Sequence, residues 1–212
     1  MTENVKNEQL ETLVNDIRSC RICVENPIKS SLPHAPRPIL QVSGSAKICI
    51  CGQAPGTRVH KSGRPFTDPS GDRLRDWMGI GEEIFYDPEK LAIIPMGFCF
   101  PGQDAKGGDL PPRTECRKTW HDQVFDAVPQ IELILVIGQY AQAYHLGSSR
   151  KKNLTETVAA WRSYFKESAG KGSPIILPLP HPSWRNNGWI RKNPWFAEEL
   201  LPVLRTEVSR LI

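Results

Sequence analysis

The stretch Ala46-Lys-Ile-Cys-Ile-Cys51, closed by Gly52-Gln-Ala-Pro-Gly56, decides the fold. A short apolar run that stops abruptly at glycine and proline reads as a strand buried on both faces, the signature of a parallel sheet. Three more runs repeat the pattern: Leu91 to Ile94, Ile131 to Ile137 before Gly138, and Ile175 to Leu179 before Pro180-His181-Pro182-Ser183. Between them lie helical periodicities. One is capped at Ser70 and runs through Leu74, Trp77 and Met78; a second starts at Thr114 and a third at Thr155; the last opens on Asn193-Pro194, with proline at its first position. Strands alternating with helices predict an α/β chain, a three-layer α/β/α sandwich around a four-stranded parallel sheet. Residues 1–18 carry Leu10, Leu13, Val14 and Ile17 at helical spacing, and residues 27–45 are a Pro-, Ser- and Gly-rich connection. The length, 212 residues, fits one domain over 1–212.

Composition narrows the partners. Hydrophobic residues make up 39% and charged residues 24%, too apolar for a disordered chain and ordinary for a globular one. No window is apolar for long enough to span a membrane, and the polar start Met1-Thr2-Glu3-Asn4 lacks a signal-peptide core, so the expectation is a monomer in the cytoplasm. The formal charge of +4 is unevenly spread: residues 1–140 hold 16 Lys/Arg against 18 Asp/Glu, whereas residues 141–212 hold 11 against 5. A basic last third suits a polyanionic partner, although charge alone fits a plain solvated surface equally well.

Functional groups collect at the strand ends, where sites in parallel sheets form. The glycines of Gly52–Gly56 allow close backbone approach to a ligand. The following Gly63-Arg-Pro-Phe66-Thr-Asp68-Pro-Ser70 places an aromatic face, Phe66, and a carboxylate, Asp68, in one loop. Phe66 is suited to stacking on a flat ring and Asp68 to orienting water, while ordinary turn capping explains Asp68 and Ser70 as well. After the last strand, His181 can donate to a developing oxyanion, and Trp184 with Arg185 can wedge into or grip a duplex. A loop histidine beside a packed tryptophan is the plainer alternative.

Six cysteines in a reducing compartment argue against a disulfide framework. Cys49 and Cys51 alternate onto one face of the first strand and read as core. Cys20-x-x-Cys23, Cys99 and Cys116 form a second set of four. Four thiolates suit zinc or an iron–sulfur cluster, and spacing does not choose between them; four unrelated cysteines stay open as well.

Together these motifs resemble the uracil-DNA glycosylase superfamily, most closely its iron–sulfur-containing families four and five, from about Cys20 to the final helix. The resemblance rests on Gly52–Gly56 after the first strand, Gly63–Phe66 with Ser70-Gly71, His181–Ser183, and the order of the four cysteines. It implies a DNA glycosylase of base-excision repair that flips uracil or another deaminated base out of DNA and hydrolyses its N-glycosidic bond. Phe66 would stack on the extruded base. Gly52, Gln53, Ala54 and Pro95 would surround it, with Ser183 nearby. His181 would donate to the leaving ring, and Asp68, or a water held by Gln53, would serve the sugar side. Lys61, Arg64, Ser183, Arg185 and Lys192 would hold phosphates, and Trp184 would fill the vacated stack. Cys20, Cys23, Cys99 and Cys116 would hold a 4Fe-4S cluster in a structural role, with zinc the other occupant. Two positions depart from family four: Gln53 replaces an acid, and Pro95 replaces an asparagine that reads uracil. A neutral amide cannot deprotonate water, and proline offers only a carbonyl. An inactive or differently specialised nucleic-acid- or nucleobase-binding member of the fold is therefore the alternative. An electron-transfer or sensor protein built on the cysteines leaves Phe66 and His181 without a role.

Overall fold

The computed structural model describes residues 3–168 and 172–212. Four parallel strands, β1 (Ile48–Cys51), β2 (Leu91–Ile93), β3 (Leu133–Ile137) and β4 (Ile175–Leu179), form one sheet in the order β2-β1-β3-β4. The strand order reverses at β1, so the crevice beyond the carboxyl ends of β1 and β3 is the switch point at which such sheets bind ligands.

Period-two alternation sorts the side chains into two cores. Ile48 and Ile50 of β1, with Leu133, Leu135 and Ile137 of β3, pack under the helices Pro69–Met78 and Leu201–Leu211. Cys49 and Cys51 face the opposite layer with Ile134 and Val136, under the helix Glu3–Arg18 and the Asp122–Ala127 turns. This is the expected α/β/α sandwich. The two strand cysteines are fully buried, their sulfurs 3.6 Å apart, as core residues on one face.

The sheet edges differ. Beside β2, Gln41 exchanges both backbone hydrogen bonds with Ile93, at 2.7 and 3.0 Å, and its side-chain amide donates to the Leu91 carbonyl at 2.7 Å. At the other edge, β4 contains Pro178, which an edge strand tolerates because it has no N–H to give to a ladder.

Several helix starts differ from expectation, that of the last helix among them: its first turns are Phe196–Leu200, with Trp195 rather than Asn193 at the N-cap. Asp68, not Ser70, is the N-cap of Pro69–Met78, its carboxylate accepting from the Gly71 amide at 3.3 Å. Pro69 dictates this, because it fixes the first helical position and forces the residue before it into extended geometry. Likewise Asn153, not Thr155, caps Leu154–Ala159. The helices Thr57–Ser62 and Gly138–Leu146 were not expected, and a π-helical turn, Arg117–His121, interrupts the segment that begins at Thr114.

Candidate active site

A cavity of about 110 Å³ opens at the switch point, lined by the Gly52–Gly56 loop, Phe66, Asp68, Pro95, Asp109 and His181. Sites for drug-sized ligands run to roughly 300–1,000 Å³, so this one suits a single flat ring. It opens into a groove of about 570 Å³ whose walls include Arg58, Ser183, Trp184 and Arg185.

Phe66 is the only non-glycine residue at positive φ among the described residues, at 53°. A left-handed backbone costs a bulky residue on the order of 1–2 kcal/mol, so its surroundings must hold it. The Tyr86 hydroxyl donates to the Phe66 carbonyl at 3.1 Å and accepts from Nη1 of the buried Arg75 at 3.3 Å. The Phe85 ring meets Phe66 edge-on at 5.9 Å. A Cβ on Gly52 would stand 3.7 Å from the tip of the Phe66 ring, so the aromatic face lies over the loop after β1.

That loop is tied down at its carbonyls. The Met96 and Gly97 amides donate to Gly52 and Gln53, at 2.8 and 2.9 Å. The Gln53 side chain reaches the other way, donating to the Leu110 carbonyl at 3.0 Å, and so joins the loop to the segment 102–110.

His181 stands where the cavity meets the groove and lines both. The loops around it desolvate the ring and hold its pKa below the ordinary histidine value, while the carboxylates of Asp68 and Asp109 act in the opposite direction. Its neutral form is therefore the resident one near neutrality and can donate a proton-bearing nitrogen to a carbonyl oxygen. Arg73 pins its loop, donating to the Ser183 carbonyl at 3.1 Å and to Asn187 Oδ1 at 2.7 Å.

Of the residues expected at the site, Gly52, Gln53, Ala54, Phe66, Asp68, Pro95 and His181 line the cavity. Ser183, Trp184 and Arg185 line the groove, with Trp184 73% exposed. Lys61, Arg64 and Lys192 lie outside the walls of both: the Arg64 guanidinium stacks on Tyr86, 3.4 Å from the ring centre, and Lys192 ends the helix Asn187–Lys192. Asp109, Arg58, Tyr86 and Arg73 were not anticipated. Arg58 lies just past the Gly52–Gly56 loop, Asp109 and Tyr86 come from other parts of the chain, and Arg73 acts through Ser183, 110 positions on.

The four separate cysteines gather beside the irregular 27–38 connection. Cys23 and Cys116 are neighbours whose interaction raises Cys116 and lowers Cys23, and burial pushes Cys99 up to about 12. Cys99 also feels the charges of Cys20 and Cys23. One N–H donor points at a sulfur: Trp120 Nε1 reaches Cys20 Sγ at 3.4 Å. Glu115, paired with Arg113 at 2.7 Å, accepts from the Ile28 amide at 3.0 Å and holds residues 28–30 across this pocket. Among the described residues no group of three or more His, Cys, Asp or Glu side chains is disposed to hold a metal ion. Arg37 links the cysteine pocket to the cavity, because its guanidinium caps the carbonyls of His60 and Lys61 at the end of Thr57–Ser62.

No helix among the described residues is long and apolar enough to cross a membrane. A family model described as the uracil DNA glycosylase superfamily matches residues 41–205, which take in the whole sheet, the cavity and the groove. The chain belongs to the uracil DNA glycosylase superfamily.

Proposed function

We propose that this protein hydrolyses the N-glycosidic bond of uracil or another deaminated base in DNA, as a base-excision repair enzyme. The observation that carries the reading is the one-ring cavity between Phe66 and His181, opening directly into a groove edged by the exposed Trp184 and by Arg185. A stacked base is out of reach, so the nucleotide turns out of the duplex and its base enters the cavity. Phe66 covers the ring. His181 and the loop amides receive the negative charge that the leaving base acquires. Asp68, fixed at the helix N-cap, keeps its second oxygen for the positive charge on the sugar. Arg58 and Arg185 offer charge to phosphates, and such contacts fix register without reading sequence.

The buried Cys23, Cys99 and Cys116, with the half-buried Cys20 beside Trp120 Nε1, suit a 4Fe-4S cluster, with zinc the other occupant. Such a group would brace residues 20–37 and, through Arg37, the helix under the cavity.

Gln53 favours a second reading, a member that binds a flipped base without releasing it, because its amide is occupied by Leu110 and carries no carboxylate. One assay separates the two. Purified protein is incubated with oligonucleotides carrying uracil, hypoxanthine, xanthine or mismatched thymine, and free base is measured. Release of any of these bases supports hydrolysis; binding without release supports the second reading.

A further inference from the structure

Eight residues line both the cavity and the groove, and only three of them titrate: Asp68, His181 and Asp109. A nucleotide with its base in the cavity and its backbone in the groove has its glycosidic bond at this junction. We propose that Asp109 is a second active-site carboxylate, acting with Asp68 on the positive charge that develops at the sugar, and that Gln53 is the positioning residue that holds it there.

The proposal rests on the glycosylase reading and deepens it. As the C1′–N bond breaks, its electron pair leaves with the base and the sugar becomes cation-like. Water then adds at C1′, and its proton ends on the base. Asp109 comes from a small hairpin whose ends are bridged by Leu110 N to Gly102 O at 2.9 Å and by the Gln103–Asp109 pair. Gln103 Nε2 donates to Asp109 Oδ1 at 3.1 Å, which orients the carboxylate. Oδ2 lies 3.3 Å from where a Cβ on Gly56 would be, so the carboxylate of this exposed residue leans against the β1 loop. The bond from Gln53 to Leu110, next in sequence to Asp109, fastens the hairpin to that loop. The two carboxylates are thus held by unrelated devices, a helix N-cap for Asp68 and a tethered hairpin for Asp109. No cationic side chain lines both the cavity and the groove among the described residues, which leaves a negative junction facing a cationic transition state.

The test compares two abasic oligonucleotides, one with a pyrrolidine that mimics the cationic sugar and one with neutral tetrahydrofuran. Wild-type protein should prefer the cation. Asp109→Asn keeps the acceptor for Gln103 and should lose roughly tenfold on the cation, the scale of one partly solvated charge pair, with the neutral ligand unchanged. Gln53→Ala should lose the same preference, and the double variant should lose no more than Asp109→Asn alone. If Asp109→Asn keeps the full preference while Asp68→Asn abolishes it, the assignment of Asp109 is wrong and the glycosylase reading survives. Equal weakening on both oligonucleotides makes Asp109 merely structural and overturns the proposal. A wild-type protein with no cation preference and no base release overturns both readings.

Discussion

The carbonyl oxygen of Phe66 occupies the space that a Cβ on Gly71 would need. Gly71 lies in the first turn of Pro69–Met78, where alanine would ordinarily gain about 0.5–1 kcal/mol. Gly71→Ala should do the reverse. The Phe66 backbone must move, the ring loses its place over the cavity, and base release should fall by more than about tenfold. Kinetics on a uracil-containing oligonucleotide, beside a melting curve, check both halves.

Tyr86 holds the same carbonyl from the other side. Tyr86→Phe removes one hydroxyl and leaves Arg75 Nη1 short of a partner, at a cost of about 1–3 kcal/mol in stability. The loss should reach KM through a loosened Phe66. Urea denaturation and steady-state kinetics measure the two effects.

Asp68 has two jobs that substitution can separate. Asparagine caps a helix as well as aspartate does, whereas alanine costs about 1 kcal/mol. Asp68→Asn should therefore keep the melting temperature and lose activity, and Asp68→Ala should lose both. His181→Ala should lower turnover by about 10²–10³-fold, the usual scale for one lost donor to a developing anion.

The Asp68 carboxylate works against the desolvation of His181. Without that charge the imidazolium is less favoured, so the His181 pKa should fall further in Asp68→Asn. An NMR titration of the ring in both proteins gives the direction directly. Since neutral His181 is the donor, the acid limb of activity should lie below the ordinary histidine value in wild type and lower still in any residual activity of the variant.

Behind the cavity, His121 and His145 sit in a sleeve formed by Phe98, Phe125 and Tyr144. Burial lowers both from 6.5 to about 4. Between those values the unfolded chain binds more protons than the folded one. Stability is therefore intact above about pH 6.5 and declines as pH falls toward 4, by roughly 3 kcal/mol per histidine. Denaturation at about pH 7 and about pH 5 should show the drop, and His121→Phe should remove part of it.

The strands were legible because burial on both faces leaves runs of Ile, Leu, Val and Cys that local composition reveals. His181 was legible because it follows the end of β4, and Phe66 and Asp68 because they share the Gly- and Pro-rich loop before Pro69–Met78. The helix Gly138–Leu146 escaped because it begins on the glycine that ends β3, where a break is the natural reading. The choice of cap escaped because Asp68 and Ser70 stand two positions apart and Pro69 decides between them. Arg73 and Tyr86 escaped for a different reason: their partners lie far along the chain, Arg73 being 110 positions from Ser183, and Asp109 escaped because what places it at the site is its approach to Gly56 in another loop; no periodicity reports such pairs.

The sheet itself has a consequence for association. The backbone groups that β2 would offer a neighbouring chain are taken up by Gln41, and Pro178 interrupts the donors of β4. Neither border presents an unbroken ladder on which a second molecule can template itself, the arrangement by which natural sheets avoid edge-to-edge aggregation. Replacing Gln41 with a residue that cannot reach Leu91 would uncover one carbonyl of the first border, while the backbone pair with Ile93 keeps the rest of it closed.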